Sequence, residues 1–184
     1  MQLTHYQYFL ALEHDFIESI RFAELHPNNS ETFSTSYLKM LFSACIEIET
    51  VLKLLSQRDG DATIPRNIDQ MRQRVLTVYP AFARLEVLVP RYSLNLSPWL
   101  SWDSRTNPDW WHAYTATKHN RQTSYELANQ KNVLEAIAGL FACLIFLYAA
   151  DVPRISLDVE PNLFYYESLF PQHIVYGSEL NLPQ

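Results

Sequence analysis

Residues 110–121 read WWHAYTATKHNR. The stretch places two tryptophans, one tyrosine and four side chains that can carry positive charge within twelve residues. It contains neither glycine nor proline. Just before it, Asn107 is a good N-cap, Pro108 suits the first helical position and Asp109 suits the first turn. We therefore predict a helix that begins at Pro108 and continues to the end of the stretch.

The predicted helix has an aromatic first half and a cationic end. At about 3.6 residues per turn, one face carries Trp111, Tyr114, Lys118 and Arg121, and the neighbouring face carries His112, Ala116 and His119. A histidine can transfer a proton near neutral pH, and lysine and arginine can stabilise negative charge that develops on a phosphate. The structural alternative is that the rings are core residues and the cations form a solvated helix end, where they suit the helix dipole.

The composition indicates one domain of mainly helical structure. The chain has 184 residues, of which 48% are hydrophobic, so it can bury a sizeable core. Three glycines are too few for a glycine-rich phosphate loop or a turn-rich all-β fold. Cys45 and Cys143 lie in apolar helical stretches, which indicates core residues in a reducing compartment rather than a disulfide or a zinc site. We expect no cofactor.

The charge of the chain is unevenly distributed. The formal net charge of −6 argues against a general nucleic-acid-binding protein. Residues 66–121, which include the predicted helix, nevertheless contain eight lysines and arginines against four acids. A local basic face on an acidic protein suits a selective contact with RNA or with an acidic partner. Alternatively, charge differences of this size between segments arise without a functional purpose.

Apolar residues that recur at helical spacing predict four other helices. These cover residues 3–25, from Ser34 or Ser36 to 58, 65–78, and from Asn129 or Asn132 to about 150. In the second of them, Glu49 lies at the edge of the apolar stripe, one turn before Lys53. The two can form an i,i+4 ion pair, or Glu49 or Glu47 can orient a cation of the helix at 110–121.

The last helix is apolar on all sides from Ala136 to Ala150. At about 1.5 Å per residue this run spans roughly 22 Å, which is shorter than a bilayer core of about 30 Å. We therefore expect no membrane span. We expect the central helix of a bundle, which packs on the second helix around Cys45 and Cys143 and has apolar surface left over for a dimer interface.

Two segments do not fit a regular bundle. Residues 85–105 combine strand-like sequence with two prolines and predict an irregular, partly extended insertion. All four tryptophans lie between residues 99 and 111, which indicates that this insertion folds onto the helix that follows. We therefore predict a helical bundle domain over 1–153 and an ordered C-terminal arm over 154–184 that packs on the bundle or on a partner.

The motif Trp110-Trp111-x-Ala113-Tyr114-x-x-x-Lys118-His119-x-Arg121, followed by Ala128-Asn129 and a long apolar helix, resembles a group of bacterial HEPN-like proteins. The stretch Ile46-Glu47-Ile48-Glu49, followed by Leu52-Lys53, is similar to the second helix of such domains. The resemblance covers residues 34–150 and implies an all-α fold, a bundle of four to five helices. Many members of the family are metal-independent endoribonucleases of toxin–antitoxin or phage-defence systems, and they commonly form homodimers.

The resemblance also implies roles for individual side chains. The implied catalytic residues are Lys118, His119 and Arg121. The implied RNA-binding or supporting residues are Arg105, His112, Tyr114, Asn120 and Glu49. The usual family signature is an arginine followed, after four to six residues, by a histidine. Before His119 those positions hold His112, Ala113 and Tyr114, whereas Arg105 and His112 have the required spacing, lie beside the tryptophan pair and form an alternative motif. Arg21 and His26 also have the spacing, but they lie at a predicted helix end before Pro27, and we interpret that match as chance.

Two classes of function follow. In the first, the chain is an endoribonuclease in which His119 takes the proton of a ribose 2′-hydroxyl and no metal ion takes part. In the second, it is a non-enzymatic helical module that binds RNA, a nucleotide or a protein partner such as an antitoxin. His112 and His119 lie about 10 Å apart along a helix, too far to bind one metal ion. The N-terminus has no basic region followed by an apolar one, so we expect a cytoplasmic protein.

Overall fold

Six helices and one hairpin form most of residues 3–149 and 160–166, which are the residues that the computed structural model describes. The helices are α1 (Thr4–Ile20), α2 (Thr35–Ser56), α3 (Ile68–Val78), α4 (Asp109–His119), α5 (Arg121–Ser124) and α6 (Gln130–Ala149). The hairpin strands are β1 (Val87–Val89) and β2 (Leu94–Leu96), which pair antiparallel with Leu88 opposite Asn95. The prediction of a mainly all-α chain is confirmed.

Helices α2 and α6 form the most extensive helix–helix contact of the described residues, and α1, α3 and α4 pack around them. Cys45 on α2 and Cys143 on α6 are fully buried free thiols in the same core. Burial raises the pKa of both thiols well above the usual range, because the low-dielectric core disfavours the thiolate. Both cysteines are therefore protonated core residues at neutral pH.

Helix α6 is covered by the rest of the chain. Gln130–Tyr148 has the length and hydropathy of a membrane-spanning helix, but 89% of the segment is buried inside the protein. Residues 136–148 are all buried within a single chain. The prediction that α6 leaves apolar surface for a dimer interface is therefore wrong, because α1, α2 and α4 already cover it.

Two helix boundaries differ from the prediction because of local hydrogen bonds. The first helix ends at Ile20 rather than residue 25, since the next backbone N–H groups bond to Glu18 and Ser19 in a turn. The third helix begins at Ile68 rather than Pro65, since the Asn67 side chain accepts a hydrogen bond from the Gln70 N–H at 2.9 Å and caps the helix there.

The insertion before α4 packs its tryptophans against α6. The indole of Trp99 donates to the backbone carbonyl of Gly139 at 3.0 Å, and the indole of Trp110 donates to the carbonyl of Pro98 at 3.0 Å. Gly139 allows this approach, since a Cβ there would lie 3.1 Å from the Trp110 ring. The predicted extended insertion contains the β1–β2 hairpin, and its tryptophans seal the core.

Residues 160–166 lie on the bundle. Leu163 and Phe164 are buried, and the Phe164 ring lies 6.1 Å from that of Phe9 on α1. Tyr165 exchanges two backbone hydrogen bonds with Leu88 of β1, at 2.6 and 2.8 Å. The remainder of the predicted arm at 154–184 is outside the described residues.

A buried carboxylate on α1 holds this segment. Glu13 is only 1% exposed, and its oxygens accept the backbone N–H groups of Asn162, Leu163 and Phe164 at 2.8 to 3.2 Å. Three donors satisfy a charge that would otherwise be unfavourable in the core. Glu13 therefore links α1 to a segment about 150 residues away in sequence.

We expect Glu13→Ala to lower the free energy of unfolding by about 2 kcal/mol, because it leaves buried N–H groups without an acceptor. Urea unfolding measures this change. The control is Glu18→Ala, which removes an exposed ion pair with Arg21 and should change the free energy by less than about 0.5 kcal/mol. Equal effects of the two substitutions would contradict the role of Glu13.

Candidate functional site

The two ends of α4 lie in different environments. Trp110 and Trp111 at its start are buried, whereas Lys118 and His119 in its last turn are exposed. The helix begins at Asp109, and Asn107 is not its N-cap, because Asn107 instead accepts a hydrogen bond from Arg72 at 3.3 Å. The buried first turn fixes the direction in which the last turn projects.

A cleft of about 1140 Å³ lies between α2, α4 and the segment that leads into α3. It is lined by Glu49, Lys53, Thr63, Ile64, Pro65, Arg66, Asn67, Ile68, Gln70, Met71, Trp111, Thr115, Lys118 and His119. Three of these side chains are positively charged and one is negatively charged. The cleft is thus locally basic on a chain whose net charge is −6.

The cleft brings together some of the predicted site residues and adds two others. Lys118, His119 and Glu49 line it, as predicted residues of one site. Lys53 and Arg66 also line it but were not predicted as site residues. The position of Lys53 one turn after Glu49 could have indicated that Lys53 belongs to the site. No sequence pattern indicates Arg66, because its position depends on how the loop before α3 folds against α4.

Glu49 supports α4 through a tyrosine hydroxyl. Lys118 Nζ donates a hydrogen bond to Tyr114 Oη at 3.2 Å, and the Tyr114 hydroxyl donates a long hydrogen bond to Glu49 Oε1 at 3.5 Å. The Lys118 ammonium also lies 5.2 Å from the centre of the Tyr114 ring. Tyr114 is therefore a buried positioning group, and Glu49 acts on Lys118 through it.

This chain of contacts shifts two pKa values in the same direction. Burial raises the pKa of Tyr114, because the phenolate is poorly solvated, and the nearby Glu49 carboxylate adds to the effect. The hydrogen bond to Tyr114 raises the pKa of Lys118. At neutral pH the buried Tyr114 is therefore neutral, and Lys118, which lines the cleft, is charged.

Arg121 does not line the cleft. The prediction that the helix continues through Arg121 is wrong, because α4 ends at His119 and Asn120 takes a non-helical conformation with φ −143° and ψ 70°. Arg121 instead begins α5, and its guanidinium lies 5.9 Å from the centre of the Phe42 ring. The Asn120 N–H donates to the carbonyl of Ala116 at 2.8 Å, so Asn120 closes the helix.

The alternative pair Arg105 and His112 lies outside the cleft. His112 is exposed near the start of α4 and is not one of the lining residues. Arg105 is exposed in a loop, where its φ of 61° places it in the left-handed region. It lines a second cleft beside α3. The structure therefore brings His119, rather than His112, together with several cations.

Other titratable groups near α2 have separate partners. Glu47, the alternative support for a cation of α4, instead accepts a short hydrogen bond from the His5 ring on α1. Over residues 3–149 and 160–166, no three His, Cys, Asp or Glu side chains are grouped so that they could bind a metal ion. The ionisable side chains that line the cleft are His119, Lys53, Arg66, Lys118 and Glu49.

The chain matches no known family model, no curated protein and no solved structure. The resemblance to HEPN-like proteins therefore stays a hypothesis based on the motif.

The Tyr114 network should make stability sensitive to alkaline pH. The raised pKa values of Tyr114 and Lys118 mean that the unfolded chain loses these protons at lower pH than the folded chain. The contribution is full below about pH 10 and is lost as the pH rises through the folded-state pKa values. We expect the free energy of unfolding to fall less steeply between about pH 9.5 and about pH 11.5 in Tyr114→Phe than in the wild type.

Urea unfolding over a series of pH values measures this slope. The control is Tyr8→Phe, because the Tyr8 ring is exposed on α1, away from the cleft. It should keep the wild-type pH dependence. If the free energy of unfolding falls as steeply with pH in Tyr114→Phe as in the wild type, the proposed role of the Tyr114 network is wrong.

Proposed function

We propose that the chain is a metal-independent endoribonuclease whose active site is the cleft at the end of α4. The observation that carries the proposal is that His119 shares this cleft with Lys53, Arg66 and Lys118. A histidine among three cations, with a single carboxylate, suits a ligand that carries a phosphate and a proton to transfer. The location of this basic cleft on an acidic chain favours selective rather than general RNA binding.

In the proposed reaction, a His119 ring nitrogen accepts the proton of a ribose 2′-hydroxyl. The 2′-oxygen attacks the adjacent phosphorus, and the bond from phosphorus to the 5′-oxygen of the next nucleotide breaks. A proton from the imidazolium or from water goes to the leaving 5′-oxygen. The products are a 2′,3′-cyclic phosphate and a 5′-hydroxyl. Lys118, Lys53 and Arg66 stabilise the charge that builds on the phosphate oxygens.

Arg121 has a different proposed role from the one that the motif implies. Its guanidinium lies over Phe42, whose ring makes an edge contact with Tyr114 at 5.4 Å. We therefore assign the phosphate contacts to the cations that line the cleft. Arg121 supports the position of Tyr114 from the other side of the helix end.

The second candidate is a non-enzymatic module that binds RNA, a nucleotide or a protein partner through the same cleft. One observation favours it: in the described part of the chain, the His119 side chain has no hydrogen-bond partner that would orient its ring. Catalytic histidines are commonly held by such a partner. In this case the cleft binds a phosphate and does not cleave.

One RNA-cleavage panel with EDTA present separates the two candidates. We expect the wild type to cut single-stranded RNA and leave 2′,3′-cyclic phosphate ends, and His119→Ala to be inactive. Lys118→Ala and Arg66→Ala should each lower kcat by about 100-fold, because each removes a cation from the transition-state charge. His112→Ala is the matched control, since it removes an exposed histidine from the same helix outside the cleft, and it should keep wild-type activity.

A wild-type protein that binds RNA without cutting it would contradict the enzymatic proposal and favour the binding module. An equal loss of cleavage activity in His112→Ala and His119→Ala would contradict the assignment of His119 as the proton acceptor. Circular dichroism of each variant checks that the helices are intact.

We also propose that the chain is a homodimer and belongs to a toxin–antitoxin or phage-defence system, as the HEPN-like resemblance implies. Ile46 and Leu54 are 55% and 40% exposed along one side of α2, beside Glu49 and Lys53. Apolar side chains exposed next to a site suit a contact with a second copy.

We expect light scattering at micromolar protein to give twice the chain mass of 21.5 kDa. Leu54→Glu should give the single-chain mass, because it places a charge in the proposed interface. The control is Leu100→Glu, which changes an exposed leucine in the loop before α4 and should leave the mass unchanged. A wild-type mass of 21.5 kDa would contradict the dimer.

A further inference from the structure

A second cleft continues the first one across the start of α3. It has a volume of about 540 Å³ and is lined by Trp102 and Arg105 on one side and by residues of α3 on the other. Asn67 and Gln70 line both clefts. The two clefts are therefore adjacent, and the first turn of α3 forms the floor between them.

The side-chain amides of Asn67 and Gln70 on this floor have NH₂ groups that are available to a ligand. The Asn67 side-chain oxygen accepts from the Gln70 N–H at 2.9 Å, and the Gln70 side-chain oxygen accepts from the Arg66 N–H at 2.7 Å. Since both oxygens are used by backbone donors, the orientation of both amides is fixed. Their NH₂ groups have no acceptor within residues 3–149 and 160–166. Phosphate, ribose and base oxygens are suitable acceptors.

The cations of this region differ in whether they have an ion-pair partner. Arg72 in the second cleft, Arg74 in the neighbouring one and Arg84 are each paired with an aspartate. In contrast, Lys53, Arg66 and Arg105 form no ion pair with any described residue. An unpaired guanidinium can bind a phosphate without first losing a carboxylate partner.

Charge decides between the two directions in which the path could continue. Gln70 also lines a third cleft, which contains Asp59, Asp61 and Arg74 and is therefore net negative. The cleft at Arg105 contains Asp69, Arg72 and Arg105 and is net positive. A phosphate chain that leaves the first cleft is therefore attracted towards Arg105 and repelled from the third cleft.

We propose that a single-stranded RNA crosses the start of α3, with one phosphate at Lys118 and His119 and a later phosphate at Arg105. The substrate is thus a strand of several nucleotides rather than a mononucleotide or dinucleotide. This inference rests on the proposed RNA-binding function of the first cleft. It assigns Arg105 to strand binding and leaves proton transfer to His119.

The test uses 2′-O-methyl oligouridines of two, four and eight nucleotides, which lack the 2′-hydroxyl proton and cannot be cleaved by the proposed reaction. Fluorescence anisotropy measures their affinity for the full chain. We expect the affinity of the wild type to rise by at least about tenfold from two to eight nucleotides, because each added phosphate contact releases counterions. Arg105→Ala should weaken binding of the eight-nucleotide strand and leave the dinucleotide unchanged.

The salt dependence gives a second readout. The slope of log K against log salt concentration should decrease in magnitude by about 0.7 in Arg105→Ala, the value for loss of one phosphate contact on a single strand. The matched control is Arg91→Ala, which removes an exposed arginine between β1 and β2, away from both clefts. It should keep the wild-type slope.

The amide donors are tested with Gln70→Glu, which keeps the capping oxygen but replaces the NH₂ group. This substitution should weaken binding of the eight-nucleotide strand more than Gln7→Glu does. Gln7→Glu makes the same charge change on the exposed side of α1. If the eight-nucleotide strand binds but Arg105→Ala and Arg91→Ala have the same affinity for it, the strand path is wrong, while the first cleft remains a binding site. If no oligonucleotide binds, the RNA-binding function fails together with the path.

Discussion

The packing of the tryptophan cluster on α6 determines where the candidate site lies. Trp99 donates its indole N–H to the Gly139 carbonyl, and Trp110 packs over the same glycine. Tryptophan side chains bury large areas, and their polar group needs a partner when buried. Because the rings of Trp99 and Trp110 are buried and their N–H groups are hydrogen-bonded, the first turn of α4 is fixed in the core. Its last turn therefore projects beside α2, where Lys118 and His119 line the same cleft as Lys53.

The same arrangement separates cations with a structural role from cations that are available to a ligand. Arg72, Arg74 and Arg84 are each paired with an aspartate. Among the described residues, Lys118 has only the neutral Tyr114 hydroxyl as its hydrogen-bond partner, and it stays charged at neutral pH. A chain that is acidic overall can therefore present one basic surface, and this contrast favours selective binding over general attraction to nucleic acid.

The sequence predicts the parts of this structure that depend on local periodicity. The apolar stripes of α2 and α6 follow from the spacing of their residues, and the cationic end of α4 follows from its order of residues. Three features could not be predicted, because they depend on long-range contacts. Arg66 reaches the cleft only through the fold of its loop, Arg121 is separated by the break at Asn120, and Glu13 holds a segment about 150 residues away.

We propose that an RNA phosphate binds between the end of α4 and the loop before α3. Titration of the isotope-labelled chain with an uncleavable 2′-O-methyl oligouridine, followed by amide NMR shifts, tests this claim most directly. We expect the largest shifts at Lys53, Arg66, Lys118 and His119, which line one cleft. No shift at these amides, or shifts confined to the separate groove that Phe22 and Lys39 line, would contradict it.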